Sequence, residues 1–128
     1  DFCLSRGLGD VYKRQVQVFE IIGKTPRAKT CEAMQGITSE MEEDLEDFAG
    51  TDAADQVLIG CAQAVEHYEI ARYGLLKTWA EKLGYTDAVP LLEQTLEEEK
   101  ATDALLSEIA DGLSYGDTEK PAAKRKSA

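Results

Sequence analysis

From Val16 onward, apolar residues return at steps of three and four, the spacing of one helical face, and four such segments follow one another. The first, Val16–Ile22, is short and ends before Gly23 and Pro26. It reads as the last turns of a longer helix, although so short an apolar run fits a strand equally well. The second runs from about Thr30, a suitable cap, to Ala49, with Gly50 ending it. Ala33, Met34, Ile37, Met41, Leu45 and Phe48 mark its buried face, and Glu42, Glu43, Asp44, Glu46 and Asp47 its solvated side. The third starts after the N-cap candidate Asp52 and continues to Leu83 before Gly84, a length on the order of 45 Å. The fourth starts at Asp87, with Pro90 in its first turn, and reaches about Leu113. No internal repeat is visible. The expectation is an all-α chain.

Two of these stripes carry acids where apolar residues belong. Along the third helix one face reads Ile59, Ala62, Glu66, Glu69, Tyr73, Leu76, Ala80, Leu83. Along the fourth, Leu92, Leu96, Glu99, Asp103, Leu106, Ala110 and Leu113 form one stripe. Thr95, Glu99, Thr102 and Ile109 fall on a slightly rotated one. The short link from Gly84 to Thr86 predicts antiparallel packing. Glu66 and Glu69 lie about 15 residues before that turn and Glu99 about 14 after it, so equal helical rise brings all three to one height. Carboxylates sharing an inward layer repel one another unless a cation or a proton intervenes. A solvated acidic face is the alternative, and it is the simpler reading for Glu97 and Glu98. His67, the only histidine, is one position off the stripe and reads as a surface or packing residue.

Composition narrows the function. The chain has 128 residues, one domain's worth, with a formal net charge of −11, which gives no support for binding nucleic acid or anionic membranes. No apolar run approaches the roughly 20 residues that span a bilayer. Cys3, Cys31 and Cys61 are odd in number and widely spaced, fit no zinc or disulfide framework, and favour a reducing cytoplasm. Cys61 reads as a small core residue. Motifs for acyl transfer or nucleotide binding are missing from the sequence, and enzymatic activity is left open. Residues 1–15, DFCLSRGLGDVYKRQ, show no clear period, and SRGLGDVYKRQ resembles translated sequencing-adapter read-through. On that reading 1–15 is non-native or disordered, 16–113 is the helical domain, and 114–128 is a disordered basic tail.

The segments AVEHYEIARYGLLKTWAEKLGYTDAVPLLEQTLEEEKATDALLSEIA and VFEIIGKTPRAKTCEAMQGITSEMEEDL resemble the YciE/YciF-type ferritin-like family of bacterial stress-associated proteins. The resemblance covers roughly Val16 to Leu113. It implies a ferritin-like four-helix bundle with an extra crossover helix, here without the first helix and most of the second. It also implies that Glu66, Glu69 and Glu99 correspond to carboxylates of a two-metal site for Fe or Mn, with Tyr73 and Thr102 beside it. Ferritin-like proteins usually carry Glu-x-x-His on the last helix. Here Thr102 stands at the His position and Asp103 follows it, so the expectation divides between Asp103 as a substitute ligand and a weak or absent site. Glu20, on the first helical segment, has no argument for ligation.

Two functions follow as expectations. One is a stress-associated, metal-carboxylate protein whose site is incomplete in this chain. The other is a metal-free helical bundle acting as an oligomerising interaction module, with its inward acids protonated or paired with lysines. Two and a half bundle helices leave apolar faces that are buried by association, misfold or leave the chain marginal, and a homo-oligomer is the expectation. An acidic partner-binding protein is a third, weaker reading resting on net charge alone.

Overall fold

The computed structural model describes residues 2–113, and their side chains from Gly9 onward. Asp1 and the basic segment 114–128 lie outside the described residues. Four helices follow in order: α1 (Phe2–Ile21), α2 (Glu32–Asp47), α3 (Ala54–Leu83) and α4 (Val89–Gly112). There is no strand among the described residues, and the chain is an all-α helical bundle.

The helix ends are legible in the chain's punctuation. After α1, Gly23 takes a φ of 66°. Its amide donates to Glu20 O at 3.0 Å and that of Lys24 to Phe19 O at 2.9 Å. After α3 the same pattern recurs at Gly84, with Gly84 N to Glu81 O at 3.2 Å and Tyr85 N to Ala80 O at 2.9 Å. Both are Schellman closures, which need a left-handed residue that only glycine adopts without strain. A Cβ at Gly84 would meet nothing within 4 Å, so its substitution is penalised by backbone strain alone. Gly84→Ala is therefore expected to cost about 1–2 kcal/mol, read as a lower urea midpoint with an unchanged slope.

The starts of the helices differ from expectation. Thr30 and Asp52 do not cap. Cys31 stands before α2 and Ala53 before α3, neither with a side-chain cap bond. The fourth helix begins at Val89 rather than Asp87, with Pro90 in its first turn as expected.

Two corrections are larger. The helix expected over Val16–Ile22 runs from Phe2 to Ile21, so the segment set aside at the N-terminus is helical from Phe2, and the strand alternative is excluded. No proline interrupts it, and Val11, Arg14, Val18 and Ile22 fall on one face at helical spacing. Meanwhile α2 buries no residue fully. Its apolar face is half-covered, with Ile37 and Met41 beside Gly60, Cys61 and Ala64 of α3, and Phe48 is exposed.

α3 and α4 form an antiparallel hairpin. Gln56 Nε2 donates to Ala110 O at 3.1 Å, Gln63 Nε2 to Asp103 Oδ1 at 3.0 Å, and Lys77 Nζ to Glu93 Oε1 at 2.6 Å. The partners descend one helix as they ascend the other, which is the register the short link dictates. The core lies near the hairpin turn, where Tyr73, Ala80, Ala88, Leu92 and Leu96 pack together against Val18 of α1, Ile70 and Val89. Even there the α3 stripe is partly open, with Leu76 and Leu83 exposed.

Candidate carboxylate centre

α3 turns Glu66 and Glu69 toward α4, one helical turn apart on the same face, and α4 answers with Glu99 at their level. All three are partly buried. The Glu99 carboxyl is raised to about 7, first by burial, then by Glu66, within reach of a shared hydrogen bond, and by Glu98, with Arg14 opposing the shift. Burial also raises Glu69, with repulsion from Glu99 adding to it and Arg72 opposing. Glu66 Oε2 is sealed from solvent and has no hydrogen-bond partner. These facts share one cause. A bond between two carboxyl groups exists only when one holds a proton, so with both ionised the buried oxygen of Glu66 faces no donor.

Tyr73 closes the layer toward the hairpin turn. It is buried, and Gln15 Nε2 of α1 donates to its hydroxyl at 2.8 Å. Burial raises its hydroxyl above the usual tyrosine range, and Glu69 and Glu99 act in the same direction, while the Gln15 bond and Arg14 oppose it. The placement of Tyr73 near Glu69 and Glu99 agrees with the stripe read from the sequence.

Asp103 and Thr102 are not brought to the same point. Asp103 stands one turn beyond Glu99, where its carboxylate accepts from Gln63 and lies 3.2 Å from His67 Nε2. Both of its oxygens are engaged there. Thr102 is exposed, and its hydroxyl donates to Glu98 O of its own helix at 3.0 Å. His67 is exposed, as its position one residue off the stripe indicates.

Sequence reasoning missed Arg14. This α1 residue is only 7% exposed; its Nε donates to Thr95 Oγ1 at 2.9 Å and its Nη2 pairs with Glu98. Thr95, at 2% exposure, is the most buried polar residue of α4. Setting aside the N-terminal segment hid this contact. A charged residue on the stripe of Val11, Val18 and Ile22 was the signal available. A second missed contact joins Cys31, at the start of α2, to the Tyr68 hydroxyl at 2.9 Å, with the Arg72 guanidinium 5.8 Å from the Tyr68 ring centre. Cys31 and Cys61 are both free thiols.

The described residues hold at most part of the donor set that the resemblance implies. Among the described residues, no group of three or more His, Cys, Asp or Glu side chains could hold a metal ion. From α1, Arg14 and Gln15 reach this part of the bundle with nitrogen donors.

Comparison with known proteins places this arrangement. Residues 10–118 match the family described as "Domain of unknown function (DUF892)". Protein YciF of Escherichia coli (strain K12) is 52% identical over 80 residues, covering 62% of this chain and 48% of that protein. The chain thus spans about half the length of the curated relative it matches. The crystal structure of the E. coli stress protein YciF superposes with a TM-score of 0.74 at 45% identity, over 80% of this chain and 65% of that one. YcfI from Rhodopseudomonas palustris superposes with a TM-score of 0.74 at 39% identity, over 84% of this chain and 73% of that one. The chain belongs to the YciF-type family described as DUF892.

Proposed function

We propose that this chain is part of a ferritin-like, stress-associated bundle whose α3–α4 hairpin contributes one side of a metal-carboxylate layer. The observation that supports it most is the buried, partnerless Oε2 of Glu66 beside Glu99 and Glu69. Oxygen donors of this kind suit Fe(II) or Mn(II), which together with carboxylate ligands supply redox or Lewis-acid chemistry when bound. This chain's own residues hold the carboxylates at one height, exclude solvent from one of their oxygens, and orient Tyr73 through Gln15. The remaining ligands would come from helices outside the matched half. On this reading the chain alone takes up metal weakly, and the protein works in the cytoplasm, consistent with free thiols at Cys31 and Cys61.

The test is Fe and Mn content of the purified chain beside Glu69→Ala and Glu99→Ala. The expected result is well under one ion per chain, falling at least about tenfold in both variants, as the loss of a charged ligand implies. Metal content that neither variant changes would count against the proposal.

A second reading, a metal-free bundle that associates with itself, is favoured by the raised carboxyl of Glu99, since a proton then does the work of a cation. An apolar groove of about 230 Å³, lined by Val18, Ile22, Leu76, Trp79, Leu83 and Tyr85, supplies an associating surface. Sedimentation of Trp79→Glu against the parent separates the two: this reading expects a parent oligomer that the variant dissociates.

A further inference from the structure

We infer that Arg14 is the built-in counter-cation of the carboxylate layer, and that its guanidinium keeps a divalent ion from binding there. The inference rests on the carboxylate-layer reading above and adds what holds that layer in check.

Three observations meet at this residue. Arg14 is buried, so its charge is not diluted by water. It is fixed by two side chains of α4, Thr95 and Glu98, which flank Glu99 at one turn and one residue before it. Thr95, which takes the Arg14 bond, lies on the same α4 face as Glu99 one turn before it, so the guanidinium approaches the layer from the α1 side. A buried guanidinium so placed performs the electrostatic task of a cation while repelling any divalent ion brought to the same spot. The next residue on α1, Gln15, bonds to Tyr73 and adds no negative charge. At this level α1 therefore sets a cation and an amide against the acids.

Removing the charge is expected to open the layer to a hard divalent cation. Glu98, released from its partner, then joins Glu66, Glu69 and Glu99 as an oxygen donor. Arg14→Met keeps the packing of the aliphatic stem, Arg14→Gln keeps a polar head, and Arg14→Lys keeps the charge.

The experiment is titration of the full chain with Mn(II), followed by electron paramagnetic resonance of the free ion, for the parent and the three variants. Circular dichroism checks that each is folded. Arg14→Met or Arg14→Gln is expected to bind Mn(II) at least about tenfold more tightly than the parent. Arg14→Lys is expected to stay near the parent. Adding Glu99→Gln to Arg14→Met is expected to abolish the gain. Equal Mn(II) binding by the parent and both neutral variants overturns the inference. If that binding still falls on Glu99→Gln, the layer reading survives the failure. If Glu99→Gln changes nothing that any variant binds, the layer reading fails as well. Should one neutral variant lose its helicity, the other decides.

Discussion

Leu92→Ala is expected to lower the unfolding free energy by about 2–4 kcal/mol, a large share of the roughly 5–15 kcal/mol that holds a domain together. Leu92 is 6% exposed and sits where all three core helices meet. It packs with Tyr73 and Ala80 from α3, Ala88 and Leu96 from its own hairpin arm, and Val18 from α1. Truncation leaves a cavity between three elements, and the surrounding helices cannot close it without shifting the hairpin turn. Leu105→Ala is the control. Leu105 is 54% exposed, so its loss is expected to change stability by no more than about 0.5 kcal/mol. Urea denaturation of the two variants beside the parent checks both values. Similar losses for both would mean that the core does not lie at the hairpin turn.

The second large effect depends on pH. Glu99 has its carboxyl raised from 4.5 to about 7 in the folded chain. A raised acid binds its proton more tightly when folded, so its contribution is fully present below the unfolded value near 4.5 and is lost as pH rises through about 7. Above that range the folded state carries a half-buried charge beside Glu66 and Glu69. Glu99→Gln keeps the size and hydrogen-bonding capacity of the protonated acid without that charge. At pH 8 the variant is expected to be more stable than the parent by about 1–2 kcal/mol, after allowance for solvent screening of a partly exposed group. Near pH 4 the two are expected to coincide. Denaturation curves at both pH values measure the difference, and the sign matters more than the size. A variant equally or less stable at pH 8 would place Glu99 in contact with water instead of the other acids.

The antiparallel hairpin was legible because two simple signals agree. Glycine at 84 fixes where α3 must stop, and equal helical rise on either side of a short link fixes which residues face one another. The convergence of Glu66, Glu69, Glu99 and Tyr73 follows from that register. Asp103 entered as a candidate ligand because the resemblance sets it next to the usual His position, and periodicity puts it on the face of Glu99. One turn further along, Gln63 and His67 claim its oxygens. α1 was the least legible element. Its apolar stripe is broken by Arg14 and Gln15, two residues that look like surface positions until the acids of α4 and the hydroxyl of Tyr73 are set opposite them. The half-buried face of α2 is a different lesson. Its spacing specifies a buried side, but among the described residues only the first half of α3 lies against it, so none of its residues is buried fully.

The central claim is that acids from two helices share one enclosed layer. Carbon-13 NMR titration of the glutamate side-chain carboxyls, assigned by single Glu→Gln variants at 66, 69 and 99, tests it most directly. The account predicts a midpoint near 7 for Glu99 and one above 4.5 for Glu69, with the Glu69 midpoint falling when Glu99 is replaced by Gln. Midpoints near 4.5 for both groups, neither responding to the loss of the other, would contradict it.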